Sequence, residues 1–461
     1  MEKRTFLKTT SATVIGSLLT PLAACHSSTE QQNQEVLSQE ARKNWAGNLT
    51  YSTDKLYEVQ NVEELQQTIR SLDKIKALGT RHCFNNIADS KANQVSLQQL
   101  KQIRLDEKAN TVYVEAGVNY GELSTYLHER GYALHNLASL PHISVAGACA
   151  TATHGSGVNN GNLPTAVNSI EMIKADGELL KLSREADGDT FQGAIVNLGA
   201  LGIVTQLGLD IQPTFDMRQD IYLSLPVSQL KENFEEIMSS GYSVSLFTDW
   251  QSDKVNQVWI KRKIENMPDG PAEPEFYEAR LADRDVHPII EISAENCTRQ
   301  MGVAGPWYAR MPHFRMNFTP SSGKELQTEF FVPKQHALEA FLSIQALKDQ
   351  IGPILMISEI RTIAADTYWM SPCYRQECVA FHFTWEQETE KLQQLLPALE
   401  ESLQPYDARP HWGKVFRMSA ARLASLYERM PDFIKLVKEY DPEGKFRNAY
   451  LEQYIFGNVK A

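Results

Sequence analysis

Two of the commonest nucleotide-binding signatures are missing from this sequence. No G-x-G-x-x-G lies between a strand-like and a helix-like segment, and no G-x-x-x-x-G-K-[ST] occurs, so neither a Rossmann fingerprint nor a P-loop is available. Basic charge is also short: 45 Lys and Arg stand against 57 Asp and Glu, a formal net charge of −12. Nucleic-acid affinity is built mainly from cationic side chains on phosphates, so a general polyanion binder is excluded. Cysteine is scarce, with six residues at positions 25, 83, 149, 297, 373 and 378. Without Cys25 the remainder is odd, and Cys373 and Cys378 have no second pair, so neither a disulfide framework nor a metal centre is indicated. No apolar run reaches the length of an ordinary membrane span, and no repeat of about 20 to 50 residues recurs. With 42% hydrophobic and 22% charged residues, the chain has the balance of a soluble globular protein and the length for two or three domains.

The N-terminus is set apart. Lys3, Arg4 and Lys8 precede a short apolar stretch, Ala12 to Ala24, and residues 1–25 read as a targeting segment. Lys3-Arg4-Thr5-Phe6-Leu7-Lys8 resembles a twin-arginine export signal with lysine in the first arginine position, and Leu22-Ala23-Ala24-Cys25 resembles a lipoprotein cleavage box. Cleavage before Cys25 would expose its amine and sulfur to acylation, and the polar run 26–43 would tether the folded part. The expectation is an exported bacterial lipoprotein that uses the export machinery and faces the periplasm or the exterior, touching the membrane through its lipid alone. An uncleaved anchor helix or a plain secretory signal is the alternative.

The folded part is expected from Asn44. Asn61 and Glu64 have capping-box spacing ahead of Leu65, Thr68 and Ile69, and Lys74 to Leu78 reads as a strand entering a glycine-rich loop. Thr111 to Glu115 reads as a strand, with a helix over 121–130 stopped at Gly131. Ser169 to Ala175 and Glu178 to Leu182 flank Asp176-Gly177, a hairpin turn. Beyond Pro213, strands are expected over 243–248, 258–262 and 325–332, with one helix over 334–351. The resulting division is 44–213, 214–413 and a C-terminal segment, 414–461.

Four loops are rich in glycine and small polar residues: Gly79-Thr80-Arg81-His82-Cys83-Phe84-Asn85, 139–147, 151–157 and 199–204. Such loops let backbone N–H groups approach a diphosphate closely, which points to an extended nucleotide cofactor. Together with Asp441-Pro442-Glu443-Gly444-Lys445-Phe446-Arg447-Asn448, they make the chain after Asn44 resemble the vanillyl-alcohol-oxidase family of FAD proteins, and within it the alditol and xylitol oxidases with their aldonolactone-oxidase-like C-terminal region. The resemblance implies an α+β fold: a two-subdomain FAD-binding domain of the PCMH type, and an α+β substrate (cap) domain built on an antiparallel sheet, with 414–461 returning to the FAD domain. It also implies FAD bound covalently through His82. The cofactor contacts it implies are Gly79, Thr80, Arg81, His82, Cys83, Phe84, Asn85, Ser139, Ser144, Gly147, Thr151, Ala152, Thr153, His154, Gly202, Val204 and Asn448.

A second constellation lies on two expected strands. Over 354–363 a period of two puts Glu359 and Arg361 on one face, and over 378–385 it puts His382 and Thr384 together, with Val379, Phe381, Phe383 and Trp385 opposite. Periodicity alone leaves a structural ion pair and a site both open, since burying these groups demands mutual pairing or a ligand. Glu359, Arg361, Thr384 and Lys414 match the segments that contact polyol in the alditol oxidases, and Ser139 matches their substrate-contacting serine. The resemblance therefore implies oxidation of a small polyol such as xylitol or sorbitol at a terminal CH2OH, with O2 or another acceptor taking the electrons onward. Catalysis is assigned to Glu359, Arg361, His382 and Lys414, with His382 the first choice for proton acceptor and Glu359 or Lys414 the alternatives. The rival readings are an aldonolactone oxidoreductase and a lipid-tethered sugar-binding protein without activity.

Overall fold

A computed structural model describes residues 42–266, 271–316 and 324–457. The targeting segment and all of the tether but Arg42 and Lys43 lie outside these residues. From Ala41 onward the chain forms one compact unit.

Local sequence decides where the first elements begin. Asn61 caps the helix Val62–Ser71 by accepting from the Glu64 N–H at 2.9 Å, but the Glu64 carboxylate reaches back to the N–H of Gln60, not Asn61. A reciprocal capping box occurs instead at the helix Tyr120–His128, between Asn119 and Glu122. Gly131, at φ +82°, follows that helix and turns the chain away. The hairpin expected around Asp176-Gly177 joins Val167–Ile173 to Leu179–Ser183, with Gly177 at φ +79°.

Apart from Tyr132–Ala133, which pairs with Gln212–Pro213, the strands from 56 to 210 build two sheets. Leu56–Glu58, Gln94–Ser96 and Lys76–Leu78 form a small parallel sheet, in that spatial order. A five-stranded antiparallel sheet runs Ile103–Asp106, Thr111–Glu115, Ile203–Asp210, Val167–Ile173, Leu179–Ser183. The strand that precedes the His82 loop is thus an edge strand of the small sheet, with Lys76 and Leu78 buried.

Strands from 216 to 410 build a ten-stranded antiparallel sheet whose centre runs Asp216–Pro226, Lys254–Lys263, Ser243–Thr248, Leu355–Ile363, Cys378–Glu386, Glu325–Pro333. The architecture is α+β, as the sequence implied. Register places Glu329 opposite His382 and His382 opposite Glu359 on three adjacent strands, so the polar residues form a row across the sheet. The helix expected over 334–351 is three pieces: a 3-10 turn Lys334–His336, then Ala337–Gln345 and Lys348–Ile351. Ala337, Phe341, Ile344 and Ile351 are buried on its apolar face, and Leu338 and Leu347 are half-buried.

The C-terminal signature works as a clamp. The Asp441 carboxylate accepts from the N–H groups of Lys445 and Phe446, and the Ile75 N–H donates to the Lys445 carbonyl at 3.0 Å. Asn448 donates to the carbonyls of Asn86, Ile87 and Asp89 at 2.8–3.1 Å. The segment 441–448 is thereby tied to both flanks of the His82 loop.

Candidate active site

A cavity of about 870 Å³ is lined by the four glycine-rich loops and by the polar row of the ten-stranded sheet. Its narrow loop-built part depends on missing side chains. A Cβ on Gly79 or Gly147 would lie 3.1 or 2.8 Å from the Ser144 hydroxyl, so glycine at both positions lets the 79–85 and 139–147 loops close on each other there. Most residues expected to hold the cofactor line this space, including Gly79 to Phe84, Ser139, Ser144, Gly147, Thr151, Thr153, His154, Gly202 and Val204.

The structure does not bring Asn85, Ala152 and Asn448 to the cavity wall. Asn85 donates to the carbonyls of Trp412 and Lys414 at 2.8 and 2.7 Å, which holds the Lys414 backbone beside the His82 loop. Asn448 is spent on the clamp described above. Ala152 is fully buried, at φ +55°, where it shapes the turn between the loops and faces packed side chains. In each case a polar or small residue in a recognisable motif serves the loops' own architecture.

At one side of the cavity His82 stacks on Trp45, with ring centroids 5.2 Å apart. The left-handed conformation of Arg81, φ +64°, turns the chain immediately before it. Both ring nitrogens of His82 are buried and lack a hydrogen-bond partner; the Thr80 backbone lies nearby without the geometry of one. Burial, then the neighbouring His142, brings its pKa down to about 4, so the ring is neutral at pH 7. A buried imidazole with two orphaned nitrogens calls for a partner from outside the chain. Together with the glycine-lined walls, it fits a flavin dinucleotide whose ring system reaches His82.

The other side is a charge network centred on Glu329, a residue that the sequence reading did not select. Its carboxylate is fully buried: Oε1 lies 3.0 Å from Arg361 Nη2 and 3.0 Å from His154 Nε2, and Oε2 lies 2.6 Å from Lys414 Nζ. Burial alone would raise its pKa; Lys414, then His154, hold it well below the ordinary carboxylate range. The available signal was period two over Glu325–Pro333, which sets Gln327, Glu329 and Phe331 on one face.

Around Glu329 the structure assembles the expected set. Arg361 also donates to the Ser139 hydroxyl at 3.3 Å and lies 3.4 Å from Glu359 Oε1. Lys414 Nζ is 2.7 Å from His382 Nδ1, and His382 Nε2 is 3.1 Å from Thr384 Oγ1. Burial, then Lys414, brings His382 down to about 3 against the pull of Glu329, so its ring is neutral. Burial also lowers Lys414, with Glu329 opposing. Both nitrogens of His382 are thus engaged within the protein. Glu359 accepts through Oε1 from His313 Nε2 at 2.7 Å, and Arg361 and His313 keep it ionised against the cost of burial. The cavity places an acceptor, Glu359, beside the donors Arg361 and Lys414 and the hydroxyls of Ser139 and Thr384.

The FAD binding domain family matches residues 53–183, and the D-arabinono-1,4-lactone oxidase family matches residues 313–454. An alditol oxidase of a Streptomyces species is 45% identical over 90% of this chain and 99% of its own. An L-gulono-1,4-lactone dehydrogenase of Mycobacterium tuberculosis is 26% identical over 89% of this chain and 98% of its own. The L-gulonolactone oxidase of Mus musculus is 24% identical over 90% and 98%. A cholesterol oxidase from B. sterolicum superposes with a TM-score of 0.71 at 13% identity, over 90% of this chain and 96% of that one, a likeness of fold. With the glycine-lined cavity on one side and the alditol oxidase homology spanning the chain, this protein belongs to the vanillyl-alcohol-oxidase-type FAD oxidoreductases, among the alditol oxidases and their aldonolactone oxidase relatives.

Proposed function

We propose that the protein is an FAD-dependent alditol oxidase, which converts a linear polyol such as xylitol or sorbitol to the aldose at a terminal CH2OH, with O2 as electron acceptor and H2O2 as product. The observation that carries the reading is the set of polar groups gathered in one cavity: the acceptor Glu359 beside Arg361 and Lys414, with the Ser139 hydroxyl on Arg361 and the Thr384 hydroxyl on His382. Such a set suits successive hydroxyls of an open chain better than a single lactone carbonyl. FAD, when bound, supplies the hydride acceptor.

The protein's part is to bind, orient and take a proton. Glu359 Oε2 makes no hydrogen bond among the described residues and is open to accept from a substrate hydroxyl. Lys414 is the acceptor best placed for the reacting hydroxyl's proton. Two of its three tetrahedral directions are fixed on Glu329 and His382, which leaves the third to face the reacting hydroxyl, and burial shifts Lys414 toward the amine form that can take up a proton. His382, engaged at both nitrogens, orients Lys414. It is not the first proton acceptor, contrary to the preference formed from sequence.

The neutral, orphaned ring of His82 supports a covalent link to the flavin's 8α carbon, since a deprotonated nitrogen keeps the lone pair that such a bond requires. The motif around Cys25 supports export as a lipoprotein. Stopped-flow flavin reduction with xylitol, sorbitol and an aldonolactone tests the reading: fast reduction by a polyol is expected. Reduction by the lactone alone would transfer the assignment to the lactone oxidoreductases. Acid-precipitated enzyme should stay yellow, and a colourless pellet would refute the covalent link.

A further inference from the structure

We infer that Lys261 and His313 are a positioning pair, which fixes the orientation of the Glu359 carboxylate and reserves one of its oxygens for substrate. The inference deepens the polyol reading, and its kinetic consequence rests on that reading. Neither residue belongs to the constellation selected from sequence.

The geometry is a three-residue line. Lys261, in the strand Lys254–Lys263, is 1% exposed and does not reach the cavity; its Nζ donates to the Met311 carbonyl and lies 3.0 Å from His313 Nδ1. His313 is 4% exposed and lines the cavity, and its Nε2 lies 2.7 Å from Glu359 Oε1. The imidazole meets Phe247 and Trp259 edge-on, with centroids 5.4 and 5.2 Å away, and the Trp259 indole is itself pinned by a 2.7 Å hydrogen bond to Gln257. The ring is therefore held in one plane.

Donor and acceptor counting then decides the tautomer. A lysine ammonium can only donate, so His313 Nδ1 must accept, and its single proton sits on Nε2, directed at Glu359. Burial, then Lys261, brings His313 down to about 4, so the contact with Glu359 is a hydrogen bond from a neutral ring and not an ion pair. With Oε1 shared between His313 and Arg361, Oε2 is left as the substrate acceptor. Were the tautomer reversed, a lone pair would face the carboxylate and push it out of the row. A similar lysine–histidine contact recurs at Lys414 and His382, where the ring's other nitrogen faces Thr384.

The test uses flavin-loaded enzyme labelled with 15N-histidine, recorded at pH 6, where Lys261, lowered by burial to about 7, carries its third proton. The His313 signals are identified by their loss in His313→Gln. Wild type should show Nδ1 unprotonated and Nε2 protonated, and Lys261→Met should give a mixture of tautomers. Kinetically, His313→Leu should raise KM for the polyol roughly ten- to a hundredfold, the equivalent of one charge-assisted hydrogen bond, with a smaller change in kcat and an unaltered flavin spectrum. His313→Gln, whose amide N–H can still reach Glu359, should recover most of that loss. An unprotonated Nε2 in wild type, or Gln and Leu variants with the same KM, would overturn the inference. If no polyol reduces the wild-type flavin, the polyol reading falls, while the tautomer still decides the fate of the positioning pair.

Discussion

At Glu329 one carboxylate, with no exposure to solvent, faces Arg361, Lys414 and His154. Removing the charge leaves Arg361 and Lys414 without the carboxylate they share, and breaking such a network costs about 3 to 5 kcal/mol. Glu329→Gln should fall at the low end, near ~3 kcal/mol, because the amide still accepts one hydrogen bond and Arg361 keeps Glu359. Urea unfolding of the flavin-loaded variant measures this; an unchanged midpoint would show that the network does not bear on folding. Acid should expose the neutral histidines in the same way. His313 and His382 titrate in the fold at about 4 and about 3, against about 6.5 in the unfolded chain. Above about 6.5 neither state binds the proton. Below it the unfolded chain takes up protons that the native state refuses, so stability should fall from pH 6.5 toward 4, by up to ~1.4 kcal/mol per pH unit for each ring. The depressed carboxylates Glu329 and Glu359 add to the loss only at lower pH, through the ordinary carboxylate range and beneath it. Unfolding midpoints at pH 7, 6 and 5 should decline, with a shallower slope in His313→Gln; a flat profile would contradict the neutral assignment.

Among the elements, the C-terminal clamp makes the plainest prediction. Asn448 serves three carbonyls on the flank of the His82 loop and caps the short helix Ala449–Leu451. Asn448→Ala should destabilise the protein by about 1 to 3 kcal/mol, since the carbonyls lose their donor in a half-buried setting. It should also lower the flavin-to-protein ratio, because the loop that carries His82 loses its brace. A melting curve with the visible spectrum of the same sample checks both, and a full flavin complement at wild-type stability would rule the brace out. Asn448 also shows where sequence stops being readable. The strands carrying Glu359, Arg361, His382 and Thr384 follow from period two, because one face of each packs against apolar neighbours. Glu329 carries the same period but no motif, and its partners come from loops and strands distant in the chain. The three-part helix over 334–351 departs from its 3.6 period where the chain bends at Ala346 and Leu347, a tertiary effect. Lys261 and His313 were invisible because a lysine in a strand ordinarily points to water; only the register of the sheet and the segment around His313 bring them together.

For the whole molecule, the expectation that extends beyond the described residues is its anchoring. Among those residues no helix is long and apolar enough to cross a membrane. Leu22-Ala23-Ala24-Cys25 supplies a candidate: a cysteine that becomes the mature N-terminus can carry acyl chains on sulfur, glycerol and amine. One chain binds a bilayer only marginally, whereas two or more give stable attachment, at about 0.8 kcal/mol per buried CH2. Export would also give the proposed covalent flavin a rationale. Where free FAD is scarce, a cofactor held by mass action alone is lost once its concentration drops below the dissociation constant, and a bond to His82 removes that dependence. Wild-type protein should therefore fractionate with membranes, dissolve in detergent and resist salt extraction, with an acylated Cys25 as its first residue. Cys25→Ala should abolish the acylation and either release yellow, active enzyme to the soluble exported fraction or leave it unprocessed. Wild-type protein recovered from the cytoplasm in soluble form, with Met1 intact, would refute the anchor and leave the covalent flavin without this rationale.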